Sequence, residues 1–185
     1  MLLSRAAWPG CLHFASKLTQ VSRIASTASD TQLYTAGKEW CSFSKDATES
    51  VTVLLGISEE GLDEFGEPTK ITCVAQAGQQ LEKGDKLLDI HWEGYQRTAS
   101  DELYHAVWDV VEGKRALKLP FAAQVCSYNA AILRDPGNLL CANTEQENWL
   151  VKLRMPGSSA ALLQKELLCR TSYLEMIDRG QLDES

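Results

Sequence analysis

The sequence predicts a mostly β fold, a small β-sandwich or barrel with short peripheral helices and a C-terminal helix. Three observations carry that prediction. Apolar, β-branched runs recur in short segments, glycine turns separate several of them, and long helices are few. The chain has 185 residues, enough for one domain with a substantial core and too few for two of ordinary size.

The elements follow in order. A short Trp-containing segment, KEWCSF, comes first, and Lys45 to Ser50 reads as a polar turn. Val51–Ile57 (VTVLLGI) has the composition of a buried strand. Ser58 is a good helix N-cap, with Glu59 and Glu60 near the positive end of the dipole. That helix should run to about Phe65, with Gly66 closing it and Pro68 blocking continuation. Thr69–Ala75 alternates like a strand. Gly78 and the Lys83-Gly84-Asp85 turn precede another apolar strand, Lys86–Trp92.

Residues 95–112 are the least regular part of the core. Ser100 could cap a helix with Asp101 and Glu102 in its first turn, and Leu103, Ala106, Val107 and Val110 fall on one helical face. The spacing favours that helix, ended by Gly113. The alternative is a strand, AVWDVVE, running into a hairpin turn at Glu112-Gly113. Arg115–Tyr128 has strand composition with a Pro inside it, which demotes one position to an edge or bulge. Asn129 starts a turn, and Asp135-Pro136-Gly137 is a strong turn signal. Asn148–Met155 is a further strand. Pro156-Gly157-Ser158-Ser159 then breaks the chain and caps a terminal helix, with Leu162, Leu163, Glu166, Leu167 and Arg170 on one face and a second helical segment at Ser172–Asp178. In this arrangement Ile90 and Leu117 belong to neighbouring strands.

Charge divides the chain. The formal net charge is −7, yet residues 1–28 hold Arg5, Lys17 and Arg23 and no acid. Beyond them lie 15 basic and 25 acidic side chains, a formal −10. The basic, Ser- and Ala-rich head has the composition of an organellar transit peptide, so residues 1–30 are set apart as targeting sequence and 31–185 as the folded domain. The acidic body lacks the electrostatic footprint of a nucleic-acid binder. No apolar run approaches the ~20 residues of a membrane-spanning helix. Six cysteines (Cys11, Cys41, Cys73, Cys126, Cys141 and Cys169) form no CxxC pair and no Cys/His cluster with zinc spacing. Their apolar contexts read as buried free thiols in a reducing compartment. His13, His91 and His105 make no evident site, and no nucleophile–base pair or phosphate loop is apparent, so an enzyme in its own right has little support.

The order of these pieces resembles the H protein of the glycine cleavage system, a lipoyl-carrier family. Lys38-Glu39-Trp40 is similar to the family's Glu-Trp start, and Val51-Thr52-Val53 with Gly56-Ile57-Ser58 to its Val-Thr-Val-Gly-Ile-Thr. The helix from Glu59 to Gly66, the turns at Gly78 and Lys83-Gly84-Asp85, and Leu119-Pro120-Phe121 follow in the family's order. So do Asn129, Asp135-Pro136 with Leu139 and Leu140, Trp149-Leu150-Val151-Lys152, and Leu167-Leu168 with Tyr173. The resemblance covers about Tyr34 to Asp178. It implies a barrel-sandwich hybrid of the lipoyl-domain kind, and a protein that carries an aminomethyl group on lipoate between glycine cleavage enzymes in the mitochondrial matrix.

One feature of the family is altered. The resemblance implies a lipoyl lysine on a projecting hairpin tip. Counting by the family's spacing forward from Lys83-Gly84-Asp85 lands on Gly94, and back from Pro120 on Glu112. An insertion of about eighteen residues, at about 95–112, separates the two counts. The nearest candidate is Lys114, flanked by Gly113 and by Arg115 where a small residue is expected. Two uses of Lys114 stay open. It could carry lipoate at a Gly113-Lys114 tip, or it could merely complement the dipole of the inserted helix, worth ~0.3–1 kcal/mol. Trp92, Tyr95, Tyr104 and Trp108 make the inserted region aromatic and are candidate partner contacts. Glu93, Asp101, Glu102, Asp109 and Glu112 form an acidic, solvated face. The family role is therefore expected in degenerate form. The alternative is an H-like scaffold or subunit of a separate mitochondrial complex that holds no cofactor.

Overall fold

The structure is a computed structural model that describes residues 32–45, 49–100, 106–141 and 145–180. The expected targeting peptide at residues 1–30 and Tyr104 lie outside the described residues.

Two antiparallel sheets pack face to face. The first has six strands in the order β1-β2-β3-β9-β8-β5, with β1 at Gln32–Tyr34, β2 at Glu39–Lys45, β3 at Ser50–Ile57, β5 at Gln80–Leu81, β8 at Ala123–Tyr128 and β9 at Trp149–Pro156. The second has three strands in the order β4-β6-β7, with β4 at Glu67–Cys73, β6 at Lys86–Ser100 and β7 at Ala106–Lys118. Val53 and Leu55 of the first sheet and Leu88, Ile90 and Leu117 of the second are fully buried in one shared core. Each such side chain removed from water stabilises the fold by ~1.5–3 kcal/mol. Ile90 and Leu117 do sit on neighbouring strands, since β6 pairs with β7.

Local signals explain the peripheral elements. The Ser58 side chain caps α1 (Glu59–Leu62) by accepting from the Gly61 N–H at 3.1 Å. Pro68 stands on the edge strand β4, where the register with β6 shifts, the place a residue without an N–H is tolerated. Asn129 caps α2 (Ala130–Arg134) by accepting from Ala131 N–H, and α3 (Asn138–Cys141) follows the Asp135-Pro136-Gly137 turn. Pro120 separates β7 from β8, so the stretch expected as one strand is two.

The C-terminal part folds as α4 (Gly157–Glu166) and α5 (Arg170–Asp178). Tyr173 of α5 is fully buried, stacks on Tyr34 with ring centroids 4.6 Å apart, and its hydroxyl lies 2.6 Å from Ser58 Oγ. Burial pushes the Tyr173 phenol up to about 12, against the opposing bond from Ser58. Arg170 stacks over the Tyr34 ring and donates to its hydroxyl at 2.9 Å.

Two expectations are corrected. The residues from Ala106 are a strand, not the C-terminal part of a helix. Val107, Trp108, Val110 and Val111 are β-branched or aromatic and favour extended backbone, and β6 supplies a ladder to pair with. The cysteines are free, but among those described only Cys41 is buried; Cys73, Cys141 and Cys169 are exposed and Cys126 is half-buried. Apolar neighbours in sequence put those thiols on outward-facing positions rather than in the core.

Candidate functional site

The feature that sets this molecule apart is the β6–β7 hairpin. Its base is the core of the second sheet. There β6 is flanked on both sides, by β4 from Glu67 to Cys73 and by β7. Beyond Glu93 the partnership with β4 ends, and the two arms continue alone from the Gly94↔Val111 pair to Ser100↔Ala106, with a register shift between Arg97 and Ala99.

Glycines let the arms leave the body. A side chain at Gly113 would overlap the Trp92 indole, which lies flat across the strand pair at that point. A side chain at Gly66 would overlap the Glu93 backbone carbonyl, so the loop after α1 presses directly on β6. Trp92 is therefore a half-buried packing residue. The outer face differs. Tyr95 is 76% exposed and Trp108 57% exposed, and Tyr95 pairs with the exposed Val110. Two of the expected partner contacts, Tyr95 and Trp108, thus share one face of the arms with Val110, which helical spacing would place toward the core.

Lys114 stands in the ladder opposite His91, not on a turn, and Gly113 pairs with Trp92. The proposed Gly113-Lys114 tip is thereby corrected. So is the helix-dipole role, since the residues around Lys114, from Ala106 to Lys118, are a strand. Its side chain is half exposed and makes a loose ion pair with Asp89 at 3.5 Å. Burial pushes the Asp89 carboxyl up, but the bond from Lys86 and the charge of Lys114 outweigh it and hold the group below the usual carboxylate range.

Arg115, the residue that departs from the family pattern, fastens the hairpin to the body. Its Nη1 donates to the Gly61 carbonyl at 2.8 Å and to Glu64 at 2.7 Å, and its Nη2 donates to the Gly37 carbonyl at 2.9 Å. Its guanidinium lies 5.7 Å from the Phe65 ring centre. Lys38 reaches the same Glu64 carboxylate. Beside Arg115 opens a cleft of about 700 Å³ whose lining includes Glu39, Lys118, Leu119, Leu163 and Met176. Burial raises the Glu39 carboxyl above its ordinary range, although a hydrogen bond from Thr35 and the charge of Arg115 act the other way. Among the described residues no group of three His, Cys, Asp or Glu side chains could hold a metal ion. No helix among them is long and apolar enough to cross a membrane.

No family model and no curated protein sequence matches the chain. Among solved structures, the glycine cleavage system H protein from Mycobacterium marinum superposes with a TM-score of 0.54 at 18% identity, covering 82% of this chain and 98% of that one. The chain has the H-protein fold. In this chain that fold comprises two antiparallel sheets, short helices and a C-terminal helix. The H-protein fold is thus retained at an identity where individual side chains have diverged, and the hairpin residues have to be read for themselves.

Proposed function

We propose that this chain is an H-protein-like module that carries no lipoate and serves as a protein-binding scaffold or subunit, with the β6–β7 hairpin as its contact surface. The observation that carries this reading is the lysine distribution. Between Lys86 and Lys114 the hairpin contains no lysine at all, including residues 101–105 that join the arms. A lipoyl arm needs an amine on a projecting turn, reachable by a ligase and then by each partner. Lys114 is held in a ladder beside Asp89, and that geometry does not fit the group. The resemblance to the glycine cleavage system supports partners among mitochondrial proteins, and the basic, acid-free head supports delivery to the matrix. No step of chemistry is assigned to the chain; its work is to present a surface.

Intact-mass measurement of the protein from its native organelle tests the reading. The expected mass is that of the unmodified polypeptide. A lipoyl increment that disappears in Lys114→Arg would overturn it and restore the carrier role.

A further inference from the structure

The hairpin leaves a strand edge open. β7 ladders with β6 only, and among the described residues no backbone hydrogen bond leaves its other side from Ala106 to Lys118. A row of free N–H and C=O groups of this length is a template for a further strand. The edge is not blunted by proline, and the strand carries the exposed Trp108 and Val110. Toward Lys118 it runs along the cleft, whose apolar lining includes Leu119, Leu163 and Met176.

The charges on β7 point to the occupant. Trp108, Val110, Glu112, Lys114, Ala116 and Lys118 alternate along one face of the strand. Two antiparallel copies related by a two-fold axis normal to the sheet place one residue opposite itself. With Glu112 on the axis, like charges meet. With Val111 there, Glu112 faces only Val110. With Gly113 on the axis, no side chains collide at the centre. Glu112 then stands opposite Lys114 of the other copy, and this happens twice. In the same register Val110 meets Ala116 and Trp108 meets the Lys118 ammonium. Glu112 is exposed and has no ion-pair partner among the described residues, and Lys114 has only its loose contact with Asp89.

We propose that a second copy of this chain adds antiparallel along the free edge of β7, centred on Gly113, with reciprocal Glu112–Lys114 pairs across the axis. The proposal deepens the reading of the hairpin as a contact surface and rests on it.

The full recombinant chain, made without a lipoate-attaching enzyme, is measured by sedimentation velocity. A reversible dimer is expected. Glu112→Lys alone and Lys114→Glu alone each bring two like-charge pairs together, and each should weaken the dimer about tenfold. The double variant E112K/K114E should recover it. Carbodiimide coupling of mixed heavy- and light-isotope copies should join Glu112 of one copy to Lys114 of another. A monomeric wild type, single variants that associate as well as wild type, or a double swap without recovery would each overturn the proposal. These outcomes are separate from the native-mass measurement, which bears on lipoate alone.

Discussion

The two ends of the β6–β7 hairpin obey different rules although they are one continuous pair of strands. At the base, Leu88, Ile90 and Leu117 are wholly excluded from water, and β4 closes the far side of β6. In the arms beyond Gly94, the described side chains are half or fully exposed and only the two strands hold each other. An isolated two-stranded ribbon is marginal in water. The arms keep their shape because the base is anchored, so the body contributes the stability and the arms contribute the surface.

The sharpest way to break that contrast is to cut core volume at one end and an exposed side chain at the other. Ile90→Ala should cost ~2–5 kcal/mol of unfolding free energy in urea titrations. Val110→Ala should stay within ~0.5 kcal/mol in the same assay, under conditions where the chain is monomeric. Equal losses would mean that the arms are packed against something in the free protein.

The junction between the two regions comes next. Arg115→Ala removes bonds to two carbonyls and one carboxylate and should cost ~1.5–3 kcal/mol. Arg115→Lys should recover only part of this, because one ammonium cannot reach Gly61, Glu64 and Gly37 in the same fork. Gly113→Ala forces its new methyl into the Trp92 ring and should cost ~1–3 kcal/mol by thermal melting. Pairing it with Trp92→Leu should relieve a measurable share of that loss.

The smallest effect is a titration. The folded-state Glu39 carboxyl is raised above its unfolded value of about 4.5, chiefly by burial. A raised carboxyl binds protons more tightly in the folded state. The wild type therefore loses stability as pH rises upward from the unfolded value, and the cost is complete once pH exceeds the folded one. Glu39→Gln should stabilise the protein at neutral pH, and its advantage should fade as pH falls toward about 4.5 and be gone below it. Urea midpoints at pH 4 and pH 7 check both the sign and the window.

How far the sequence could be read follows from the range of each interaction. Ser58 was legible as a cap because its partner, Gly61, is one helical turn away. The sandwich was legible because its core strands are apolar, β-branched runs and several of its turns carry a glycine or proline. The arms were not, because the helical spacing of Val107 and Val110 competes with the strand propensity of the same β-branched residues, and the choice is made by β6. The site was harder still. Arg115 looked like an odd replacement beside a candidate lysine, yet its bonds run to Gly61 and Gly37, 54 and 78 residues away. No local pattern encodes contacts of that separation. Lys114 drew notice by its distance from Pro120, a count that says nothing about whether a residue sits on a turn or inside a ladder.

The stacked tyrosines carry a consequence for how the chain reaches this shape. Tyr34 sits at the end of the first described strand. Its backbone bridges Leu168, and its hydroxyl accepts from Arg170, 136 residues away. A ribosome delivers these partners far apart in time, and so long-range a closure is slow to find. Until Tyr173 emerges and docks, Trp40 lacks part of its cover. A seam that shuts last would leave the sandwich open on that side until α5 is in place.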